Sequence, residues 1–473
     1  MVLNFETTTP QRQIDIIPKI LPELYHFFPC NTPINFFCMK LMYILSHKCP
    51  NVNIQIDTHY CVNHLIITSN IGCYMDQSEI LSLINDLKED DSTSLNLADK
   101  GLTSIPPEVF ELTQLTELNL RENNISELPP EIGNLTNLFR LNLSNNNLVT
   151  LPAEIGLLTN LGRVNIGSNQ LVALPDEIGQ CSKITWLYLT NNQITSLPST
   201  IGNLTELTDL QLGGNSITAL PQEIGNLKSL AELQLSENNI TALPSTIGNL
   251  ASLSKLYLQG NEISKLPSEV GNLQSLSWLY LHGGNQIEIL PPEIGNLVSL
   301  TGLYLEGNHI SELPREIENL ENLVWLDLEG NNLTELPLTI CNLTRLIQLN
   351  LRRNKLTELP PDVGNLIDLT YFDLEGNQIE KLPSEIGNLE RLTEFHLNNN
   401  ALTLLPNEFG DLSELVDLFL SNNQLKSVPE SMSQLIHLES LHLSDNLITE
   451  LPDWMQQLLD EEILFISGNP VAS

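Results

Sequence analysis

Apolar residues recur along most of the chain at fixed spacings of three and two residues. One unit contains Leu115, Leu118 and Leu120, followed by Asn123, Ile125 and the Leu128-Pro129 step. The same order returns every 23 residues up to Leu438, except for one unit of 24 residues that begins at Leu276. A degenerate first unit and an incomplete last unit, which contains Leu464 and Ile466, bring the number of coils to about seventeen. A fixed period of this length predicts an array of stacked coils rather than a globular domain.

Each part of the repeat predicts a local structure. The period of two in Leu118-x-Leu120 predicts a short strand with both leucines on one side, and stacked coils would place such strands about 4.8 Å apart in a parallel sheet. The asparagine that recurs once per coil is expected to bond backbone groups between coils, because an amide both donates and accepts. The Glu-Ile-Gly-Asn-Leu stretch after each proline is too short for a full helix, so we expect 3₁₀ or irregular turns there.

The pattern L-x-x-L-x-L-x-x-N-x-[LI]-x-x-L-P resembles the leucine-rich repeat family. Its LPxEIGNLxxL part is similar to the 23-residue intracellular subclass of Ras-linked scaffold and Ras-suppressor proteins, and to the repeat arrays of bacterial Roco proteins. The resemblance implies an α/β solenoid. In that fold a curved horseshoe carries a parallel β-sheet on its concave face and 3₁₀ or irregular turns on its convex face.

Composition divides the chain into three regions. Residues 1–74 hold four basic and four acidic residues, so the net charge of −37 belongs to the remainder. We expect 1–74 to be a poorly ordered extension, or to precede a true start at Met75. Asp76 and Glu79 form a capping-box-like pair before an amphipathic stretch, which predicts a capping helix within 75–91, over residues 77–89. The repeat domain then occupies 92–473.

Charge and cysteine usage restrict the setting and the partners. The chain has 473 residues, 58 of them acidic and 21 basic. Such acidity argues against nucleic-acid or anionic-membrane binding and favours a neutral or basic protein partner. No stretch is apolar enough to span a membrane, and the first residues lack a signal-peptide pattern. Because only two of seven cysteines follow residue 74, we expect a reducing, cytoplasmic location.

Motifs that carry chemistry are missing from the sequence. Walker A, HExxH, GxSxG and paired CxxC patterns do not occur. Four histidines lie near the early cysteines, namely His26, His47, His59 and His64. The spacings between those cysteines match no zinc motif. We therefore expect no enzyme activity, no cofactor and no metal site.

Aromatic residues concentrate at the two positions of each strand that should point to the concave face. These positions hold all five tyrosines after residue 75, three of the four tryptophans and Phe419. The preference of aromatic residues for strands explains part of this enrichment. It does not explain why Tyr257, Trp278, Tyr280, Tyr304 and Trp325 fall on four adjacent strands, beside the one coil of 24 residues. The predicted partner-binding residues are Trp186, Tyr188, Tyr257, Trp278, Tyr280, His282, Tyr304, Trp325, Asp327, Glu329, Tyr371 and Asp373.

The expected function is a non-catalytic protein-interaction scaffold in intracellular signalling. Carboxylates beside aromatic rings suit a partner with a basic or mixed surface, through ion pairs and cation–π contacts. A small GTPase partner is implied only by the resemblance. Two alternatives stay open: the sensor part of a truncated Roco-like GTPase, and a secreted effector or immune-type receptor module. Arg121, Arg140 and Arg163 form a basic column that could accept an acidic segment, and the last strand could pair edge to edge in a homodimer.

Overall fold

The computed structural model describes residues 77–90 and 92–472, so the expectations for residues 1–74 lie outside the described residues. In the described part of the chain, seventeen parallel strands form one sheet in chain order. One α-helix precedes the strands and another lies between the last two. Helix α1 is Gln77–Glu89 and helix α2 is Asp453–Asp460. The strands are β1 Ser94–Asn96, β2 Glu117–Asn119, β3 Arg140–Asn142, β4 Arg163–Asn165, β5 Trp186–Tyr188, β6 Asp209–Gln211, β7 Glu232–Gln234, β8 Lys255–Tyr257, β9 Trp278–Tyr280, β10 Gly302–Tyr304, β11 Trp325–Asp327, β12 Gln348–Asn350, β13 Tyr371–Asp373, β14 Glu394–His396, β15 Asp417–Phe419, β16 Ser440–His442 and β17 Leu464–Phe465.

Each strand pairs in register with the equivalent residues of the next coil. Leu118 of β2 lies beside Leu141 of β3, and Leu303 of β10 lies beside Leu326 of β11. The middle residue of each three-residue strand is buried, whereas nearly all first and third residues are only partly buried or exposed. The buried residues form one continuous apolar core along the array. The predicted solenoid, with its sheet on the concave face, is confirmed.

The outer side of the coils between β1 and β16 is a short 3₁₀ helix, as the sequence predicts, and helix α2 takes this place between β16 and β17. The fifteen 3₁₀ helices between β1 and β16, from Pro107–Glu111 to Glu430–Gln434, have five residues each. In the coil after β2 the backbone N–H of Leu135 donates to the carbonyl of Ile132, which closes the turn. Proline at the start of the turn has the fixed φ that this conformation needs, and the outer Ile132 is fully buried.

The recurring asparagines form the expected hydrogen-bonded ladder. The side-chain amide of Asn238 donates to the carbonyls of Leu212 (3.0 Å) and Leu235 (3.1 Å), which belong to two successive coils. Its oxygen accepts the backbone N–H of Ile217 at 2.9 Å. One side chain thus satisfies three buried backbone groups where the strands end. A leucine at this position would leave all three unpaired.

The two described α-helices lie in the first and last parts of the array: α1 contacts the first outer turn, and α2 contacts β17. Ile80 and Ile84 of α1 are buried against the first coil, and Met455 of α2 is buried near β17. Helix α1 therefore covers the apolar edge of the first coil, whereas α2 takes the outer position that a 3₁₀ turn holds in the preceding coils. No helix among the described residues has the length and apolarity needed to cross a bilayer.

Replacing Asn238 with alanine should lower the free energy of unfolding by about 3 kcal/mol, because three buried backbone groups lose their partner. The neighbouring Asn239 is exposed, so Asn239→Ala is a matched control and should change stability by less than about 0.5 kcal/mol. Urea unfolding followed by circular dichroism measures both variants. Equal losses in the two variants would contradict a structural role for the ladder.

Candidate functional site

The concave face is built from two columns of side chains, one from the first and one from the third residue of every strand. In the third-residue column, Tyr257, Tyr280 and Tyr304 occupy matching positions on β8, β9 and β10. Their ring centroids are 4.7 and 4.8 Å apart and the rings are within 8° of parallel. This spacing equals the distance between neighbouring strands. The rings therefore lie face to face and present their edges and hydroxyl groups to the open side of the sheet.

The first-residue column brings two indoles together across a glycine. Trp278 of β9 and Trp325 of β11 lie on either side of Gly302 of β10. Because these tryptophans are two strands apart, their rings would be nearly 10 Å from each other if both side chains were perpendicular to the sheet. The ring centroids are instead 5.1 Å apart. A Cβ on Gly302 would lie 2.5 Å from Cε3 of Trp278. The missing side chain thus leaves the space into which the indole of Trp278 leans.

We call Tyr257, Trp278, Tyr280, Tyr304 and Trp325 the aromatic wall. Trp278 also contacts the rings of Tyr280 and Tyr304, at 6.2 and 6.3 Å between centroids, so the two columns are joined. Burial within the wall raises the pKa of Tyr257, Tyr280 and Tyr304, and the phenols remain protonated donors at neutral pH.

The irregular coil lies at one border of the wall. The backbone of Gly284 has φ of +96°, a conformation that L-residues rarely adopt, and Asn285 still forms the ladder bonds of its coil. The extra residue is therefore absorbed without breaking the array. His282 meets Tyr280 and Tyr304 edge-on, and its buried Nδ1 has no hydrogen-bond partner among the described residues.

Carboxylates of the next two coils lie beside the wall, and Glu306 and Glu329 occupy the repeat position that holds His282 in the irregular coil. Asp327 follows Tyr304 in the third-residue column, and its Oδ1 accepts the backbone N–H of Glu329 at 2.9 Å. Burial raises the pKa of Asp327, and the nearby charges of Glu306 and Glu329 raise it further. Glu306 is exposed and takes part in none of the ion pairs of the described residues. Negative charge is thus concentrated beside Tyr304 and Trp325.

A charged network connects Glu329 with the following two coils. Arg352 lies between Glu375, at 3.0 Å, and Glu329, at 3.7 Å. Asp373 is only 2% exposed and accepts bonds from the backbone N–H of Glu375 (2.8 Å) and the hydroxyl of Tyr371 (3.2 Å). Burial raises the pKa of both Asp373 and Tyr371. Their polar groups are already paired inside the chain.

The structure divides the twelve predicted contact residues into three groups. The aromatic wall with His282, Asp327 and Glu329 is one continuous surface, whereas Tyr371 and Asp373 belong to β13. Trp186 and Tyr188 lie on β5, three strands before the wall, and the guanidinium of Arg163 covers the Trp186 ring at 3.8 Å from its centroid. The hydroxyl of Tyr188 is 3.4 Å from Asp209.

The predicted basic column is engaged within the chain. Arg121 pairs with Glu122, Arg140 pairs with Glu117 at 3.1 Å, and Arg163 covers Trp186. These cations already have partners on the concave face. An acidic segment would have to displace them.

Sequence reasoning missed a second set of stacked rings near the C-terminus. His396, Phe419 and His442 occupy the third position of β14, β15 and β16, and Phe465 follows on β17. Successive centroids are 4.4, 4.8 and 4.3 Å apart. The signal was present in the sequence, because these four rings are 23 residues apart, but histidine was not counted with the aromatic residues.

Comparisons with known proteins agree with this architecture. Family profiles described as leucine-rich repeat match residues 93–154, 159–217, 209–286, 231–306, 291–360, 367–425 and 437–458. These matches cover well over half of the chain. The chain belongs to the leucine-rich repeat family. Leucine-rich repeat proteins generally mediate protein–protein interactions. The search of curated proteins found no match.

Solved leucine-rich repeat structures are similar over most of the chain. A leucine-rich repeat protein of Leptospira interrogans is 36% identical, with a TM-score of 0.65 over 74% of this chain and 94% of that one. The plant peptide hormone receptor RGFR1, solved with RGF2, is 29% identical, with a TM-score of 0.56 over 77% and 72%. Toll of Drosophila, solved with Spatzle, is 26% identical, with a TM-score of 0.67 over 76% and 51%.

Replacing Gly302 with alanine should push the indole of Trp278 away from Trp325, because the new methyl group would overlap the ring. We expect a weaker near-ultraviolet circular dichroism signal from the stacked indoles and a loss of about 1–2 kcal/mol in stability. Ser440→Ala, at the equivalent position of β16, is the control. An unchanged spectrum in Gly302→Ala would show that the indoles are not stacked across the glycine.

Removing the buried carboxylates should weaken the pH dependence of stability. Burial raises the pKa of Asp327 and Asp373 in the folded state, so the folded protein holds these protons to higher pH than the unfolded chain does. Their contribution is therefore greatest at low pH and is lost as the pH rises through the raised values. The rise in melting temperature from pH 7 to pH 4.5 should be smaller in Asp327→Asn/Asp373→Asn than in the wild type.

The matched control for this pH series is Asp362→Asn, on an exposed outer turn. It removes a carboxylate whose surroundings are mostly solvent, so the wild-type slope should remain. If the double variant and the wild type have the same slope, the buried carboxylates are not the source of the pH dependence.

Proposed function

We propose that this protein is a non-catalytic scaffold that binds a partner protein through the aromatic wall. The observation that carries the proposal is the contact among five partly exposed rings at positions where the fold does not need rings. The equivalent third positions of β2, β3 and β4 hold Asn119, Asn142 and Asn165, and those coils pair in the same register. Stacked aromatic side chains with exposed edges are a typical centre of a protein interface.

The geometry of the wall favours a particular kind of contact. Because the tyrosine faces cover one another, a partner meets ring edges and phenol hydroxyls, which suit aliphatic groups and backbone carbonyl oxygens. Cationic side chains of the partner would instead meet Glu306 and Asp327, whose charges lie beside the wall, since Glu329 already pairs with Arg352 and Arg353. A partner surface that is apolar at its centre and basic at one side fits both features.

The structural relatives support a protein or peptide ligand. RGFR1 was solved with RGF2 and Toll was solved with Spatzle, and both share this fold. The LPxEIGNL form of the repeat supports a role in intracellular signalling, with a small GTPase as one candidate partner. Cys181 and Cys341 are buried free thiols, and burial raises the pKa of each to about 11, which is compatible with the reducing cytoplasm that we propose.

Replacing Trp278 and Trp325 together with alanine should abolish capture of the partner while the array stays folded, because the wall loses both indoles but the buried leucines are unchanged. The measurement is affinity capture from a lysate of the source organism with the full chain as bait, read by quantitative mass spectrometry. Proteins enriched by the wild type should fall to background with the double variant.

The matched control is Leu338→Ala/Ile436→Ala, which removes two exposed apolar side chains from the outer face. This control should capture the same proteins as the wild type. If the tryptophan variant keeps its partners, or if the outer-face variant loses them, the aromatic wall is not the binding surface.

A further inference from the structure

The concave face of β14–β17 carries a continuous ladder of four rings, which we call the His–Phe ladder: His396, Phe419, His442 and Phe465. The planes of neighbouring rings are within 14° of parallel, and Phe465 is 45% exposed at its end. The ladder starts three strands after the aromatic wall ends at β11, so the two surfaces are separate.

Three carboxylates beside this ladder form no ion pair with a lysine or arginine of the described residues. Glu394 and Asp417 are neighbours in the first-residue column, and Glu439 precedes the next strand. Burial raises the pKa of Asp417, and the charges of Glu394 and Glu439 raise it further. No lysine or arginine of the described residues pairs with the negative charge at this place.

This arrangement differs from the rest of the concave face. Glu117 of β2 pairs with Arg140 of β3, and Glu232 of β7 pairs with Lys255 of β8. The repeat geometry therefore allows an acidic residue on one strand to pair with a basic residue on the next, as these two pairs illustrate. On β14–β16 the only ion-pair partner of Glu394 is an imidazole, with Nε2 of His396 at 2.7 Å from Oε1.

The other side of the ladder is lined by small polar side chains. Ser421, Ser444 and Ser467 follow strands β15, β16 and β17, and the hydroxyl of Ser467 donates to that of Ser444 at 3.1 Å. Small residues there leave the ring edges accessible from this side. The ladder is thus bordered by carboxylates on one side and by open space on the other.

We propose that the concave face of β14–β17 is a second docking surface, which binds an extended segment rich in arginine or lysine. The cationic groups would pair with Glu394, Asp417 and Glu439, and their aliphatic stems would lie along the ring edges of the ladder. The proposal rests on the proposed function only in treating the protein as a scaffold, since it uses none of the residues of the aromatic wall.

His442 makes this surface sensitive to pH. His396 faces Glu394 on its own strand, Tyr371 and Asp373 on β13, and Asp417 and Phe419 on β15. His442 faces Asp417 and Phe419 on β15 and Phe465 on β17. Burial lowers the pKa of His442, against the opposing effect of the Asp417 charge, so protonation of His442 at acid pH would place a cation against Asp417, one of the carboxylates that bind the segment. Acidification should therefore release it, and partial protonation of Asp417 acts in the same direction.

The first test uses fluorescein-labelled octa-arginine and the full chain, with binding measured by fluorescence anisotropy at pH 7.5 and fixed ionic strength. Glu394→Gln/Asp417→Asn should bind roughly ten-fold more weakly than the wild type. Glu131→Gln/Glu206→Gln removes the same charge from exposed outer positions and should bind as the wild type does. Equal weakening in both variants would mean that octa-arginine responds only to net charge, which overturns the proposal.

The second test compares pH 7.5 with pH 5.0, because burial lowers the pKa of His442. The wild type should lose roughly ten-fold in affinity, whereas His442→Phe keeps a stacked ring, removes the imidazole and should lose much less affinity. If the histidine variant loses as much affinity for octa-arginine on acidification as the wild type does, the proposed role of histidine is wrong. Melting curves verify folding, and Asp417→Asn alone serves if the double carboxylate variant is unstable.

A third variant distinguishes failure of the second docking surface from failure of partner binding at the aromatic wall. Trp278→Ala/Trp325→Ala should bind octa-arginine with wild-type affinity, because its substitutions lie on β9 and β11. If that variant loses octa-arginine binding, the peptide binds the aromatic wall and the second surface is disproved.

Discussion

The in-register pairing of each strand with the equivalent residues of the next coil is the constraint on which the molecule depends. It fixes the distance between equivalent side chains at about 4.8 Å, which is also a favourable distance between stacked rings. Any residue type that recurs at one strand position therefore becomes a column of side chains in contact. The tyrosines of the aromatic wall, the His–Phe ladder and the cross-strand pair of Glu117 with Arg140 all follow from this geometry.

The same geometry separates stability from binding. The leucines in the middle of each strand and the asparagine ladder use only side chains that point into the coils or close their turns. The first and third strand positions are therefore available to vary, as asparagine in β2 and tyrosine in β9 illustrate. Along one sheet the chain carries the aromatic wall, the charged network around Arg352, and the His–Phe ladder with its neighbouring carboxylates. These are three surfaces of different chemistry on one scaffold.

The sequence was sufficient to predict the solenoid, the 3₁₀ turns and the asparagine ladder, because each depends on a residue repeated in every coil. It also predicted which side chains point to the concave face. It could not predict that Trp278 leans over Gly302, or that Arg163 covers Trp186, because these contacts depend on side-chain direction between coils that differ from the consensus. The stacking of His396 and His442 was missed because histidine was counted as a titratable residue and not as an aromatic one.

The central claim is that a partner protein contacts the concave rings. Hydroxyl-radical footprinting of the full chain, with and without the captured partner, tests it most directly. We predict protection of Trp278, Tyr280 and Trp325 in the complex, with unchanged modification of Leu338 and Ile436 on the outer face. Protection of the outer face with the concave rings unchanged would contradict the account.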